Sequence, residues 1–175
     1  MRSRLTLTGM PGSGKSAVGK IVADLLGWHF IDTDRCMEER FGIKLQELID
    51  QVGTDSFSLI EEETVLNLNA PERTVISTGG SVVYSDAAMR HLALVSTVVF
   101  LDVPVEALRG HIALEAPRGI VGMSGGGLEE LYLQRLPLYR RHARITVSLE
   151  TETPEEAAAK VLSEFQRNFD ATRDR

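Results

Sequence analysis

Gly9-Met10-Pro11-Gly12-Ser13-Gly14-Lys15-Ser16 is the stretch on which the reading of this 175-residue chain turns. It fits the pattern G-x-x-x-x-G-K-[ST] without a gap, and its surroundings give that pattern meaning. Leu5-Thr6-Leu7-Thr8 before it reads as a short buried strand. After it, Val18, Ile21, Val22, Leu25 and Leu26 recur at helical spacing until Gly27 supplies a stop. Strand, glycine loop and helix in that order form the context in which this pattern cradles phosphate. Glycines let the backbone fold around the anion, and loop amides join the helix N-terminus in facing negative charge. Lys15 is expected to reach the β- and γ-phosphates of ATP, and the Ser16 hydroxyl to ligate Mg2+. Gly9, Gly12, Ser13, Gly14, Lys15, Ser16 and Ala17 are therefore the expected ATP-binding set.

Strand and helix patterns alternate outward from the loop. Short strands are expected at residues 30–31, 75–77, 97–101 and 145–147. Helices are expected at 35–41, 45–51, about 56–69, 86–94, after Pro104, at 128–142 and at 154–169. This alternation predicts an α/β domain with a parallel sheet covered on both faces. One domain over residues 1–170 is expected, with a polar frayed tail at 171–175.

The composition is that of a globular protein, with 43% hydrophobic and 25% charged residues. A net charge of -6 argues against nucleic-acid partners, which are held by basic surfaces. Cys36 is the single cysteine, so neither an intrachain disulfide nor a cysteine metal cluster is available. No signal-like or membrane-length apolar run is present. A cytoplasmic monomer is the expectation. The four histidines lack metal-ligand spacing, and Trp28 reads as packing.

Asp32 and Asp34 stand two apart at a strand end, so both can face the crevice beyond the carboxyl edge of the sheet. One could hold magnesium through water while the other accepts a proton from an attacking hydroxyl; alternatively, one only caps the next helix. Gly79-Gly80, again after a strand, permit close approach to a ligand, or form an ordinary turn. Residues 112–127 are glycine-rich around Arg118 and suggest a mobile lid whose arginine folds over the phosphates; a plain flexible loop is the alternative. Arg135, Arg140, Arg141 and Arg144 form a basic cluster near a helix end, the kind that is commonly solvated.

Together these pieces resemble the shikimate kinases, small P-loop kinases. The resemblance runs from about residue 5 to 161 and rests on five segments in order. They are the loop 9–16, Phe30-Ile31-Asp32-Thr33-Asp34, Ser77-Thr78-Gly79-Gly80, Arg118, and Arg135-Leu136-Pro137-Leu138-Tyr139. It implies a P-loop NTPase fold with a five-stranded parallel sheet, a substrate-binding helical insert at about 32–70 and the lid at about 112–127. It also implies phosphorylation of shikimate by MgATP in amino-acid biosynthesis. By that resemblance Lys15, Asp34 and Arg118 are catalytic, Asp34, Gly79, Gly80 and Arg135 bind the acceptor, and Ser16 and Asp32 serve the metal. Arg109 or His111, together with Thr153-Pro154, are the implied neighbours of adenine.

Three positions depart from the family pattern. Ser58, within Phe57-Ser58-Leu59-Ile60-Glu61, stands where the family has an arginine that clamps the acceptor carboxylate. Ser81 replaces a third glycine, and Gly119 replaces the proline after the lid arginine. Losing a charge-assisted contact costs roughly 1.5–3 kcal/mol, so Arg40, Lys44 or Arg73 would have to compensate. A different acceptor, homoserine or gluconate, is the second expectation. A nucleotide-binding regulatory module without acceptor chemistry is the third.

Overall fold

The structure is a computed structural model that describes the backbone of residues 3–114, 121–122 and 127–173. Arg118, His111 and most of the expected lid lie outside the residues whose side chains are described.

Five strands form one sheet: β1 (Arg4–Thr8), β2 (His29–Asp32), β3 (Thr74–Ser77), β4 (Thr97–Asp102) and β5 (Ile145–Ser148). Their order is β2-β3-β1-β4-β5, and every pairing is parallel. The helices are α1 (Lys15–Leu26), α2 (Thr33–Phe41), α3 (Leu45–Leu66), α4 (Asp86–Val95), α5 (Val105–Leu114), α6 (Gly127–His142) and α7 (Pro154–Arg173). The expected doubly covered α/β architecture is thus what forms. None of these helices is long and apolar enough to cross a membrane, among the described residues.

Strand alternation divides the core. On β3, Val75 joins the larger apolar cluster with Leu5, Leu7, Val22 and Val161, while its neighbour Ile76 faces the other cluster with Met89 and Leu92. On the latter face Thr6 Oγ1 hydrogen-bonds Ser96 Oγ at 2.7 Å, so the buried hydroxyl is satisfied. Trp28 packs edge-on against Phe165 with centroids 6.1 Å apart, a structural role as expected.

α2 and α3 stand between β2 and β3 and enclose a third small core of Met37, Leu48 and Phe57. The backbone leaves helical geometry at Gly53 (φ 77°, ψ 166°), which accounts for the two separate helical patterns in the sequence. α2 begins at Thr33, two residues earlier than its apolar spacing suggested, because the Asp32 carboxylate caps it. Asp32 Oδ1 accepts from the amides of Asp34 and Arg35 at 3.0 and 3.4 Å. A 3-10 turn at Val82–Tyr84 carries no periodicity of its own and was not expected from the sequence.

Candidate active site

In a parallel sheet, the turns after the strands gather at one edge, and that edge is where ligands enter. The loop after β1, the start of α2 after β2 and the Gly79-Gly80 turn after β3 all lie there. β1 is central, so its loop has the β3 turn on one side and β4 on the other.

The loop is wound by its glycines. Gly14 holds φ 80° as the cap of α1, a left-handed conformation that leaves the first helix amides open. Lys15 folds back along the loop, its Nζ donating to Gly9 O at 2.9 Å and Met10 O at 2.8 Å. Only 8% of this lysine is exposed, so its charge is concentrated inside the loop. Ser16 Oγ donates to Asp32 Oδ2 at 2.5 Å and lies 3.3 Å from Ser77 Oγ. Asp32 is thus the carboxylate that caps α2, with one oxygen, while its other oxygen meets the loop serine. Ser77, quoted in the sequence only as part of a motif, belongs to this oxygen cluster. A hydroxyl and a carboxylate beside a phosphate loop are the hard oxygen donors that suit Mg2+, which keeps few protein ligands.

Asp34 is brought to a different place. Its Oδ1 lies 2.7 Å from where a side chain on Gly79 would begin, and Glu61 Oε1 lies 2.2 Å from the same point. Two carboxyls from α2 and α3 thus converge over Gly79, and only a residue without Cβ leaves them room. A Cβ on Gly80 would lie 2.9 Å from Pro11 Cδ and 3.0 Å from Arg135 Nη1. This turn is the floor between the phosphate loop and Arg135.

Arg135 is 1% exposed, unlike the solvated surface cluster that its neighbours suggested. Its Nε donates to Tyr84 Oη at 3.2 Å and its Nη2 to Val121 O at 2.5 Å, with the guanidinium 4.9 Å from the Tyr84 ring centre. One turn further along α6, Tyr139 Oη donates to Gly80 O at 2.6 Å and its ring stacks on Phe100 at 5.0 Å. Burial pushes the Tyr139 hydroxyl far up, which keeps it a donor. Tyr84 and Tyr139 were not singled out in the sequence, although Tyr139 lies at i+4 from Arg135. By contrast, Arg140 pairs with Asp102 at 3.1 Å and Arg144 with Asn168 at 2.7 Å, both exposed.

Glu61 is 2% exposed, and burial pushes its carboxyl up to about 7. Ser58, one turn before it, spends its hydroxyl on Thr54 O at 2.9 Å. Of the cations that could have compensated for Ser58, Arg40 and Lys44 are engaged elsewhere. Arg40 pairs with Glu63 at 3.2 Å and Lys44 with Glu38 at 3.4 Å, both at the surface. Arg73 precedes β3, and its amide donates to Ser3 O at 2.6 Å at the opposite edge of the sheet. Arg109 is exposed and pairs with Glu129 on α6. Pro154 opens α7 inside a reciprocal cap, with Thr153 N donating to Glu156 Oε2 at 2.8 Å and Glu156 N to Thr153 Oγ1 at 3.3 Å.

Comparison with known proteins gives the family. The family model described as Shikimate kinase matches residues 11–166. A shikimate kinase of Paracidovorax citrulli is 39% identical over 149 residues, covering 82% of this chain and 81% of its own length. One of Thermodesulfovibrio yellowstonii is 32% identical over 165 residues, covering 93% and 95%. The solved structure of shikimate kinase from Acinetobacter baumannii in complex with shikimate superposes with a TM-score of 0.88 at 27% identity, covering 95% of this chain and 94% of that one. Matched over nearly its whole length in both sequence and fold, this chain belongs to the shikimate kinase family.

Proposed function

We propose that the chain transfers the γ-phosphoryl group of ATP to a hydroxyl of shikimate, giving 3-phosphoshikimate. The observation that carries this reading is the convergence, on one glycine floor, of a phosphate loop with Lys15 folded into it, a carboxylate on Asp34 and a buried cation on Arg135. A donor anion, an acceptor hydroxyl and an acceptor carboxylate each have a matching group there.

Phosphoryl transfer needs positioning and charge stabilisation more than covalent help from the protein. Lys15 trades its loop carbonyls for phosphate oxygens and spreads the developing charge. Ser16 and Asp32, with Ser77 beside them, are the residues that would hold Mg2+, whose role is to neutralise phosphate charge. Asp34 orients the acceptor hydroxyl and takes its proton. Arg135, fixed by Tyr84, anchors the acceptor carboxylate, and the Gly79-Gly80 turn lets the acceptor lie close to the loop. Arg118 completes the charge clamp from the lid at about 112–127, and Arg109 and Pro154 flank the adenine. The α2–α3 unit is the acceptor-binding insert at about 32–70 of a single domain. A cytoplasmic monomer is the reading kept for a chain of this size, and light scattering checks the mass.

A coupled ADP-release assay across shikimate, homoserine and gluconate tests the assignment. Saturable turnover with shikimate is expected, together with loss of at least about 100-fold in kcat for Lys15→Ala. Turnover confined to homoserine or gluconate would overturn the acceptor, and undiminished turnover by Lys15→Ala would overturn the donor site.

A further inference from the structure

The roles above leave one buried group beside the acceptor without a task. Glu61 lies on α3, three residues after Ser58 and therefore on the same face of the helix. Its Oε1 has no hydrogen-bond partner among the described residues, and neither has Arg135 Nη1, although both side chains are almost wholly buried. Unpaired buried polar atoms are rare and costly, and two of opposite character facing one cleft point to a ligand that satisfies both. They flank the same floor, Oε1 over Gly79 and Nη1 over Gly80. An acceptor with its hydroxyl on Asp34 and its carboxylate on Arg135 must pass between them.

We propose that Glu61 is a specificity-determining residue of the acceptor site, donating a hydrogen bond from its carboxyl to an acceptor oxygen held between Asp34 and Arg135. The inference rests on the hydroxy-acid reading of the site. The groups facing Glu61 are Asp34 from α2, Arg135 from α6, Lys15 at the start of α1 and the Ser81 hydroxyl after β3. Burial raises its carboxyl to about 7, opposed by the Ser81 hydrogen bond, reinforced by the Asp34 carboxylate, and opposed again by Arg135 and Lys15. A protonated carboxyl offers an O–H donor, while an ionised one offers none and repels a carboxylate. Glu61 thus supplies, in neutral form, a contact that Ser58 cannot reach, because the serine hydroxyl is turned onto its own helix. An acceptor oxygen is favoured at and below neutrality. Above it, the ionised group favours an ammonium instead.

Calorimetric titration of shikimate into the full chain tests this between about pH 6 and pH 9, in two buffers of different ionisation enthalpy. The expected Kd is level below about pH 7 and rises about tenfold per pH unit above it, with uptake of about one proton per acceptor bound. Glu61→Gln keeps an N–H donor and cannot ionise, so it should hold one Kd across the range. Glu61→Ala should bind weakly and without pH dependence. Binding and turnover by the wild type with a level profile and no proton uptake would overturn the Glu61 contact alone. So would a Gln variant that keeps the wild-type slope. Failure to bind shikimate at any pH would overturn the acceptor reading together with the contact.

Discussion

Replacing Gly79 by alanine adds one methyl group where two carboxyls already meet. The new Cβ would lie 2.2 Å from Glu61 Oε1 and 2.7 Å from Asp34 Oδ1. Ordinary contact begins at about 3.4 Å, so Glu61 must retreat by roughly an ångström and Asp34 by somewhat less. Both obstructing atoms are ends of side chains rather than backbone, so the fold should yield at a modest cost. Overpacking of this kind costs about 1–3 kcal/mol, or a fall in Tm of roughly 2–12 °C for a chain of this size. Function should suffer more selectively. Displacing the Asp34 carboxylate by somewhat less than an ångström removes a charge-assisted contact to the acceptor, worth about 1.5–3 kcal/mol and hence roughly 10- to 200-fold in shikimate KM. The ATP KM should stay within about twofold, because no loop atom is touched. Gly80→Ala is the informative contrast, since its Cβ would strike Pro11 of the loop at 2.9 Å and Arg135 at 3.0 Å. It should raise both KM values. Steady-state ADP release with each substrate varied in turn measures all four constants. A Gly79→Ala enzyme with wild-type shikimate KM would refute the placement of the acceptor over this turn.

Three further outcomes can be checked. Ser58→Arg places a guanidinium within one turn of Glu61, so shikimate should bind about 10- to 200-fold more tightly and with a flattened pH profile; unchanged affinity would show that the position is not part of the cleft. Tyr139→Phe keeps the stack on Phe100 but removes the hydrogen bond to Gly80 O, so unfolding in urea should show a loss of about 1–3 kcal/mol with shikimate KM also raised. Glu61 makes a predictable contribution to pH dependence of stability. Its folded value, about 7, lies above the ordinary 4.5, so the stabilisation it gives is complete below 4.5 and is lost as pH rises through 7. Relative to Glu61→Gln, the wild type should lose about 3 kcal/mol across that window, and parallel stability curves for the two would contradict the raised value.

The phosphate loop was readable because its chemistry is local. Residues that wrap one anion are neighbours in the chain, and the flanking strand and helix announce themselves by periodicity. The parallel sheet was readable for the same reason. Asp32 was only half resolved: its spacing allowed a helix cap, and the structure gives one oxygen to that cap and the other to Ser16, a partner the sequence did not show. Glu61 was not singled out in the sequence, because nothing in the spacing of residues 61–63 tells which carboxyl turns inward. Its burial depends on α3 packing against a turn reached only after β3. The partnership of Tyr139 with Gly80 spans 59 residues and exists only once α6 has docked. Arg135 looked like surface charge because three exposed arginines follow it on the same helix end or just beyond.

The strand order β2-β3-β1-β4-β5 has a consequence for how such an enzyme changes its diet over time. The loop that wraps the donor phosphates hangs from β1, the middle strand of the five, where a misfit propagates through the whole sheet. The groups that greet the acceptor are scattered over α2, α3, the turn beyond β3 and α6, each anchored separately. Swapping one of them, as with serine at position 58, leaves the ladder of strands intact. The chain can therefore drift in what it phosphorylates, one helix face at a time, while the machinery that delivers the phosphate stays fixed at its middle.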